Sequence, residues 1–167
     1  MKRVSFGLNP VALIANGLLI AAMYYPWWSF KLAIMEQTDV YPYLIDGPAS
    51  EFIGYTRSSM MELLTGVLII CIVLVFIGTF IKSKATRIML GISGTLILLA
   101  SWRLLVRVTG VAAAFDMPVQ GNAIATYGGF ADLEVWTWIQ PGLYLAGAAG
   151  VLVLIATLFY KKTFWTR

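Results

Sequence analysis

Two arginines, Arg103 and Arg107, stand four residues apart near the end of an apolar segment, Ile88 to Val108, that is long enough to cross a bilayer. A charge at membrane depth costs about 2.5 to 3.5 kcal/mol at the centre on insertion scales and less near the interface, so the two are expected to have partners. The acid best placed to serve is Glu62. Equal stretches of chain separate Glu62 from Ile81 and Arg107 from Ile88. In antiparallel helices joined by a short turn both residues therefore reach a height of roughly 28 Å, at about 1.5 Å per residue. Arg103 starts about one turn deeper, and its long side chain can extend toward the interface. Glu62, Arg103 and Arg107 thus read as an intramembrane ion cluster that clamps two helices, with an anionic headgroup or a partner carboxylate as the other candidate for the arginines.

Little else in the chain is equipped for chemistry. There is no histidine, and the one cysteine, Cys71, lies midway along an apolar run. That excludes a disulfide framework, a Cys/His metal site, a histidine-ligated haem and a histidine general base. Asp46, Glu51, Asp132 and Glu134 could bring carboxylate oxygens, which suit hard cations, to one place. No EF-hand-like spacing occurs among them, and a solvated acidic rim is the plainer reading. Asn16, inside the first apolar stretch, suits a hydrogen bond between helices. No Gly-x-Ser-x-Gly, phosphate loop, metalloprotease motif or dinucleotide fingerprint is present. The expectation is no catalytic residue, no metal ligand and no cofactor.

The elements that must position these residues follow from composition. Of 167 residues, 60% are hydrophobic and 12% charged, against about a quarter charged in a soluble domain. The fold class expected is all-α integral membrane: a single domain over 1–167, built as a four-transmembrane-helix bundle with a small extracellular β element made by the two external loops. The helices are expected at about 4–25, 59–81, 88–108 and 141–160, and the external loops at 26–58 and 109–140.

Met1-Lys2-Arg3 leads into the first helix, in which Asn9-Pro10 has the chemistry of a cap and first helical position. The same charged start and apolar middle, with Ala21-Ala22, also have the form of a signal peptide; retention as a helix is the reading preferred. Pro26 ends the helix. From Trp28 to Met35 the period drops to two, the repeat of a strand. A second extended run, Val40 to Ile45, leads to the turn Asp46-Gly47-Pro48, and residues 50 to 56 are its expected return partner. Ser59-Met60-Met61-Glu62 has the spacing of a capping box. Lys82 to Arg87 is a short basic turn, and helix three is expected to face protein with the stripe Ser93, Ala100, Arg103 and Arg107. Asp116-Met117-Pro118, Gly121-Asn122 and Gly128-Gly129 signal turns, and Leu133 to Ile139 is expected to add a strand to the first loop's hairpin. Along the last helix Gly142, Ala146, Ala149 and Gly150 form a small-residue packing stripe. Trp27, Trp28, Trp136 and Trp138 are a candidate partner surface, set against the more usual role of such residues as an interfacial girdle.

Charge placement sets the expected orientation. Lys2, Arg3, Lys82, Lys84, Arg87, Lys161, Lys162 and Arg167 fall on one side of this arrangement with no acid among them, whereas all the acids fall on the other. The positive-inside rule makes the basic side cytoplasmic, with both termini there, in a multi-pass protein of the cell membrane. The basic balance then reflects topology and anionic lipid rather than nucleic acid.

Four helices, short cytoplasmic tails and two external loops with β structure resemble the topology of the claudin and peripheral-myelin-protein family. The Pro26-Trp27-Trp28 exit from helix one resembles that family's ending at the same place. The Gly-Leu-Trp and external cysteine pair of claudins are absent, so the resemblance implies a claudin-like topology and no paracellular-pore function. The function expected is a non-catalytic accessory or structural subunit of a larger membrane complex, acting by protein-protein interaction. Its partners would be the lipid bilayer and other membrane subunits or a second copy of itself. A small transporter or channel is the alternative, and a lipid- or quinone-acting membrane enzyme is third.

Overall fold

The computed structural model describes residues 5–32, 35–48, 50–51, 56–114, 117–127 and 131–160. The helices that the described residues show in full include α1 (Pro10–Tyr24), α2 (Ser59–Phe80), α3 (Lys84–Ala114) and α4 (Pro141–Leu158). Seven strands accompany them: β1 (Ser5–Phe6), β2 (Trp28–Leu32), β3 (Thr38–Val40), β4 (Ile45–Asp46), β5 (Ile81–Lys82), β6 (Gly121–Tyr127) and β7 (Ala131–Ile139). α2, α3 and α4 are long and apolar enough to cross a membrane, and most of the residues in their apolar windows are not buried. α1 is apolar but only 15 residues long. The chain divides into two compact units, one of residues 1–21, 66–101 and 145–167, the other of 22–65 and 102–144, and α1 to α4 each contribute to both.

In the first unit α1 starts later than the sequence suggests, because the residues before it are used otherwise. Ser5 and Phe6 pair antiparallel with Lys82 and Ile81, and the Gly7 and Asn9 amides donate to the carbonyls of Phe80 and Thr79 at 3.1 and 2.8 Å. The Asn9 side chain then accepts from the Ala12 amide at 3.2 Å, making it the cap, with Pro10 at the first helical position. The basic turn before α3 is tighter than expected for the same reason. Ile81 and Lys82 are strand, and Ser83 caps α3 by accepting from the Thr86 amide at 3.0 Å, so the helix begins at Lys84 rather than Ile88 and continues to Ala114 rather than Val108.

Small residues bring backbones close in this unit. A Cβ on Gly150 would lie 2.8 Å from the Leu98 side chain, and one on Gly94 would lie 2.9 Å from Leu154 and 3.2 Å from the Gly150 carbonyl. Ala146, Ala149, Val153 and Ala156 on the same face of α4 are fully buried. With no hydrophobic drive between helices in lipid, such contact supplies the packing that would hold them together.

The second unit contains a five-stranded antiparallel sheet in the order β4-β3-β2-β7-β6. The expected junction between the two loops is present: β2 pairs with β7 from Trp28 opposite Ile139 to Leu32 opposite Val135. The extended run expected from Val40 to Ile45 is broken. Tyr41 to Leu44 forms a turn closed by the Tyr41 amide on the Leu44 carbonyl at 2.8 Å, with Pro42, which has no N–H to give a ladder, inside it. Gly47 turns the chain at φ 123°, where a Cβ would meet the Gln37 carbonyl at 2.7 Å. Gly121-Asn122, expected as a turn, instead opens β6, which pairs with β7 over seven successive positions. Ser50 and Glu51 of the expected return partner are helical rather than extended, while its residues 52–55, Ala33 and Ile34 of the first alternating run, Gly128-Gly129 and the tail residues Lys2, Arg3, Lys161, Lys162 and Arg167 lie outside the described residues.

Candidate functional site

Glu62, Arg103 and Arg107 are all exposed, and among the described residues none of their side chains makes a hydrogen bond or an ion pair. Two local features explain why the expected clamp is not assembled. Ser58, not Ser59, caps α2, its hydroxyl accepting from the Met61 amide at 3.3 Å, so Met61 occupies the place that a capping-box acid would take. On α3 the buried positions run Ser93, Ile97, Ala100, Leu104, Val108, while Arg103 and Arg107 fall one residue to the side of the last two. A straight helix drifts by about 20° per heptad, so a face chosen at Ser93 is no longer the same face two heptads later. Beside the arginines Trp102 is 63% exposed. Indole, guanidinium and apolar stem thus share the outer surface of this helix.

The four tryptophans of the candidate partner surface, Trp27, Trp28, Trp136 and Trp138, divide into two kinds. Trp27 and Trp28 are buried and cannot serve as an accessible partner surface, whereas Trp136 and Trp138 on β7 are half-buried. Trp27 is buried because it closes the end of α1: its indole N–H donates to the Ala22 carbonyl at 2.7 Å, satisfying one of the orphan acceptors of the last turn. Trp28 donates to the Val119 carbonyl at 3.1 Å and stacks obliquely on Phe30. Gly142, placed by sequence in the packing stripe, has a more particular role. A Cβ there would collide with the Trp27 ring and with the carbonyls of Tyr25 and Pro26, and the Gly142 amide donates to that Pro26 carbonyl at 3.0 Å.

The densest charge in the sheet is an acidic pair. Asp39 on β3 lies directly opposite Asp46 on β4. Asp39 accepts from the Ser29 hydroxyl and from the Gln37 amide nitrogen, while Asp46 is exposed. The hydroxyl of nearby Tyr41 is held above its ordinary value, first by burial, then by the Asp39 carboxylate, with Tyr43 and Asp46 adding to it. Among the described residues no group of three or more histidine, cysteine, aspartate or glutamate side chains is placed to hold a metal ion. Of the broader acidic set, Asp46, Glu51 and Glu134 are exposed.

Two further polar arrangements lie in the helical unit. Asn16 and Ser93 are buried, and neither Asn16 Oδ1 nor Ser93 Oγ has a hydrogen-bond partner among the described residues. The Cys71 thiol points at the Ser93 carbonyl at 3.8 Å. At the β1–β5 end, the Tyr160 hydroxyl donates to the Ile81 carbonyl and accepts from the Ser83 amide, both at 2.9 Å, and Arg87 Nε donates to the Thr157 carbonyl at 3.1 Å. A cation on the last carbonyls of α4 complements that helix terminus. Sequence reading passed over Tyr160 because a tyrosine after an apolar helix looks like one more interfacial ring. Its partners come from residues nearly eighty positions away and carry no local signal.

No family model and no curated protein matches this chain.

Proposed function

We propose that this chain is a multi-pass protein of the cell membrane with both termini cytoplasmic, and that it works as a non-catalytic accessory or structural subunit whose sheet is the external contact surface. One observation carries the reading: segments from both interhelical loops are spent on a single five-stranded sheet. A folded sheet costs ordering entropy that slack connectors would not, and its return is a defined surface. Half-buried Trp136 and Trp138 belong to that surface; buried Trp27 and Trp28 support it from beneath.

Four spans are supported although α1 covers only about 22 Å of a hydrocarbon core of roughly 30 Å. Irregular backbone is tolerated at membrane depth when its polar groups are satisfied within the protein. The Gly7 and Asn9 amides, just before α1, are bonded to the Phe80 and Thr79 carbonyls. The arginines are assigned in the same spirit. Free of Glu62 and beside an exposed Trp102, Arg103 and Arg107 suit phosphate oxygens of anionic lipid headgroups better than a helix clamp.

Cysteine labelling tests the topology in intact cells. Asp46→Cys and Asn122→Cys are expected to react with an impermeant maleimide from outside and Lys84→Cys only after permeabilisation; the reverse pattern sinks the orientation. Purification from native membranes in mild detergent tests the role. Stoichiometric co-purifying subunits support it, and a lone chain with transport activity would overturn it.

A further inference from the structure

The two edges of the sheet are finished differently. The β4 edge is two residues long and ends on the carboxylate of Asp46, and its Ile45 amide already donates to the Thr56 carbonyl at 2.8 Å. The β6 edge has none of these protections. Gly-Asn-Ala-Ile-Ala-Thr-Tyr contains no charge and no proline, and it stays in register with β7 from Gly121 opposite Thr137 to Tyr127 opposite Ala131. Among the described residues no strand lies on its outer side. Gly121, Asn122 and Ile124 are exposed, Ile124 at 69%, and a Cβ at Gly121 would meet nothing within 4 Å. A long uncharged edge presents a row of backbone donors and acceptors that another strand can complete, which is why natural sheets usually blunt such edges with charge, proline or cover. Among the described residues one edge is blunted and the other carries no partner strand.

We infer that β6 is the seam through which two copies of this chain join, β6 against β6 antiparallel with Ile124 opposite itself, making one continuous ten-stranded sheet. The sequence of the strand selects that occupant. A register centred on Ile124 sets Gly121 against Tyr127, Asn122 against Thr126 and Ala123 against Ala125. No charged residue and no proline enters this register, so the edge can pair with itself. That is the requirement of a two-fold interface, in which the same patch serves both partners. A register centred on Asn122 would instead bring Pro118, which has no N–H, opposite Thr126.

Charge does not oppose the pairing. The nearest acid in the neighbouring strand is Glu134, opposite Ile124 on β7. Across the joined sheet the two copies of Glu134 would stand three strand spacings apart, about 14 Å. That exceeds the Debye length of about 8 Å at physiological ionic strength, so their repulsion is largely screened. The pairing goes beyond the accessory-subunit reading and does not depend on which side of a membrane the sheet faces.

The test uses the full chain purified in mild detergent. Light scattering corrected for detergent is expected to give twice the chain's protein mass for the wild type and the single-chain mass for Ile124→Lys, which sets two like charges opposite each other at an exposed position. Circular dichroism should leave the two proteins indistinguishable. Because Cys71 is buried, engineered cysteines report the register directly. Ile124→Cys is expected to form a disulfide-linked dimer on mild oxidation, and Asn122→Cys only when mixed with Thr126→Cys. A wild type that is monomeric at micromolar concentration, a dimer that survives Ile124→Lys, or cross-linking of Asn122→Cys alone in place of Ile124→Cys would each overturn the inference.

Discussion

Asp39 and Asp46 face each other across β3 and β4 in direct register, two carboxylates on the strand pair nearest one sheet edge. Like charges so placed oppose each other, by an amount comparable to the 0.2–1 kcal/mol of favourable cross-strand pairs. Asp39 has the Ser29 hydroxyl and the Gln37 amide to hold it, while exposed Asp46 has water. Asp46→Asn is therefore expected to stabilise the protein by roughly 0.2 to 1 kcal/mol, read as a higher thermal midpoint in detergent at low ionic strength, and the gain should shrink as salt is added. Asp39→Asn should show no such gain, because two donors lose a charged acceptor.

The same pair acts on Tyr41. Its folded-state pKa is raised by burial and by the Asp39, Tyr43 and Asp46 charges. Above pH about 10 the unfolded phenol ionises, whereas the folded one stays neutral. The unfolded state is then favoured, and stability present below pH 10 is lost as pH climbs through the folded pKa. Tyr41→Phe should flatten that alkaline loss. Ultraviolet titration of the phenolates should find one fewer late-titrating tyrosine in the variant, and an unchanged alkaline stability profile would count against the assignment.

Gly142 against Trp27 sets the sharpest packing test. Any side chain at 142 enters the Trp27 ring and two backbone carbonyls, neither of which can swing aside. Gly142→Ala is expected to destabilise by at least about 1 to 3 kcal/mol, the usual range for overpacking. Trp27→Phe keeps most of the ring but leaves the Ala22 carbonyl without its 2.7 Å donor, a loss of about 1 to 3 kcal/mol for a buried unsatisfied group. Denaturant unfolding of the two single variants measures both. A wild-type midpoint for Gly142→Ala would refute the close approach.

What was legible in the sequence followed from patterns confined to one element. The last three helices announce themselves by length and apolar content, β2 by its period of two, and the meeting of β2 with β7 by two β-prone runs in different loops. What was missed depends on partners far away in the chain. β1 and β5 are two residues each, too short for any periodicity, and exist because Ser5–Phe6 finds Ile81–Lys82. That pairing moved the start of α1 from about residue 4 to Pro10. β6 escaped because Gly121-Asn122 is turn chemistry, and because alanine and glycine blur the alternation behind it. The candidate site is not assembled among the described residues, where Glu62, Arg103 and Arg107 are exposed and make no ion pair. Counting residues placed Glu62 and Arg107 at equal depth, but depth says nothing of which way a side chain points, and Ser58 rather than Ser59 set where α2 begins.

Tyr160 ties two stretches of the helical unit through one hydroxyl, which gives to Ile81 and receives from Ser83. Tyr160→Phe removes both bonds without opening a cavity. A cost of about 1 to 3 kcal/mol is expected, from the loss of a good hydrogen bond plus an acceptor left dry. Hydrogen exchange should speed at the Ser83 amide in particular. Equal exchange rates in wild type and variant would show that the hydroxyl contributes nothing there.

The arginines give the last test, because the two readings of Glu62 differ in sign and in coupling. A clamp would make Glu62→Gln costly and Arg107→Gln nearly free in that background, as in any pair whose members act together. The exposed placement of all three side chains, unpaired among the described residues, predicts otherwise. Glu62→Gln should change stability by no more than about 0.5 kcal/mol, the range of ordinary surface substitutions, and the double variant should equal the sum of the singles. The charge of Arg103 and Arg107 should appear instead in lipid dependence. In nanodiscs the wild type is expected to gain thermal stability as phosphatidylglycerol replaces phosphatidylcholine, and Arg103→Gln with Arg107→Gln should lose most of that gain while matching the wild type in neutral lipid. Strong coupling between Glu62 and Arg107 in neutral lipid would restore the clamp and remove the headgroup assignment.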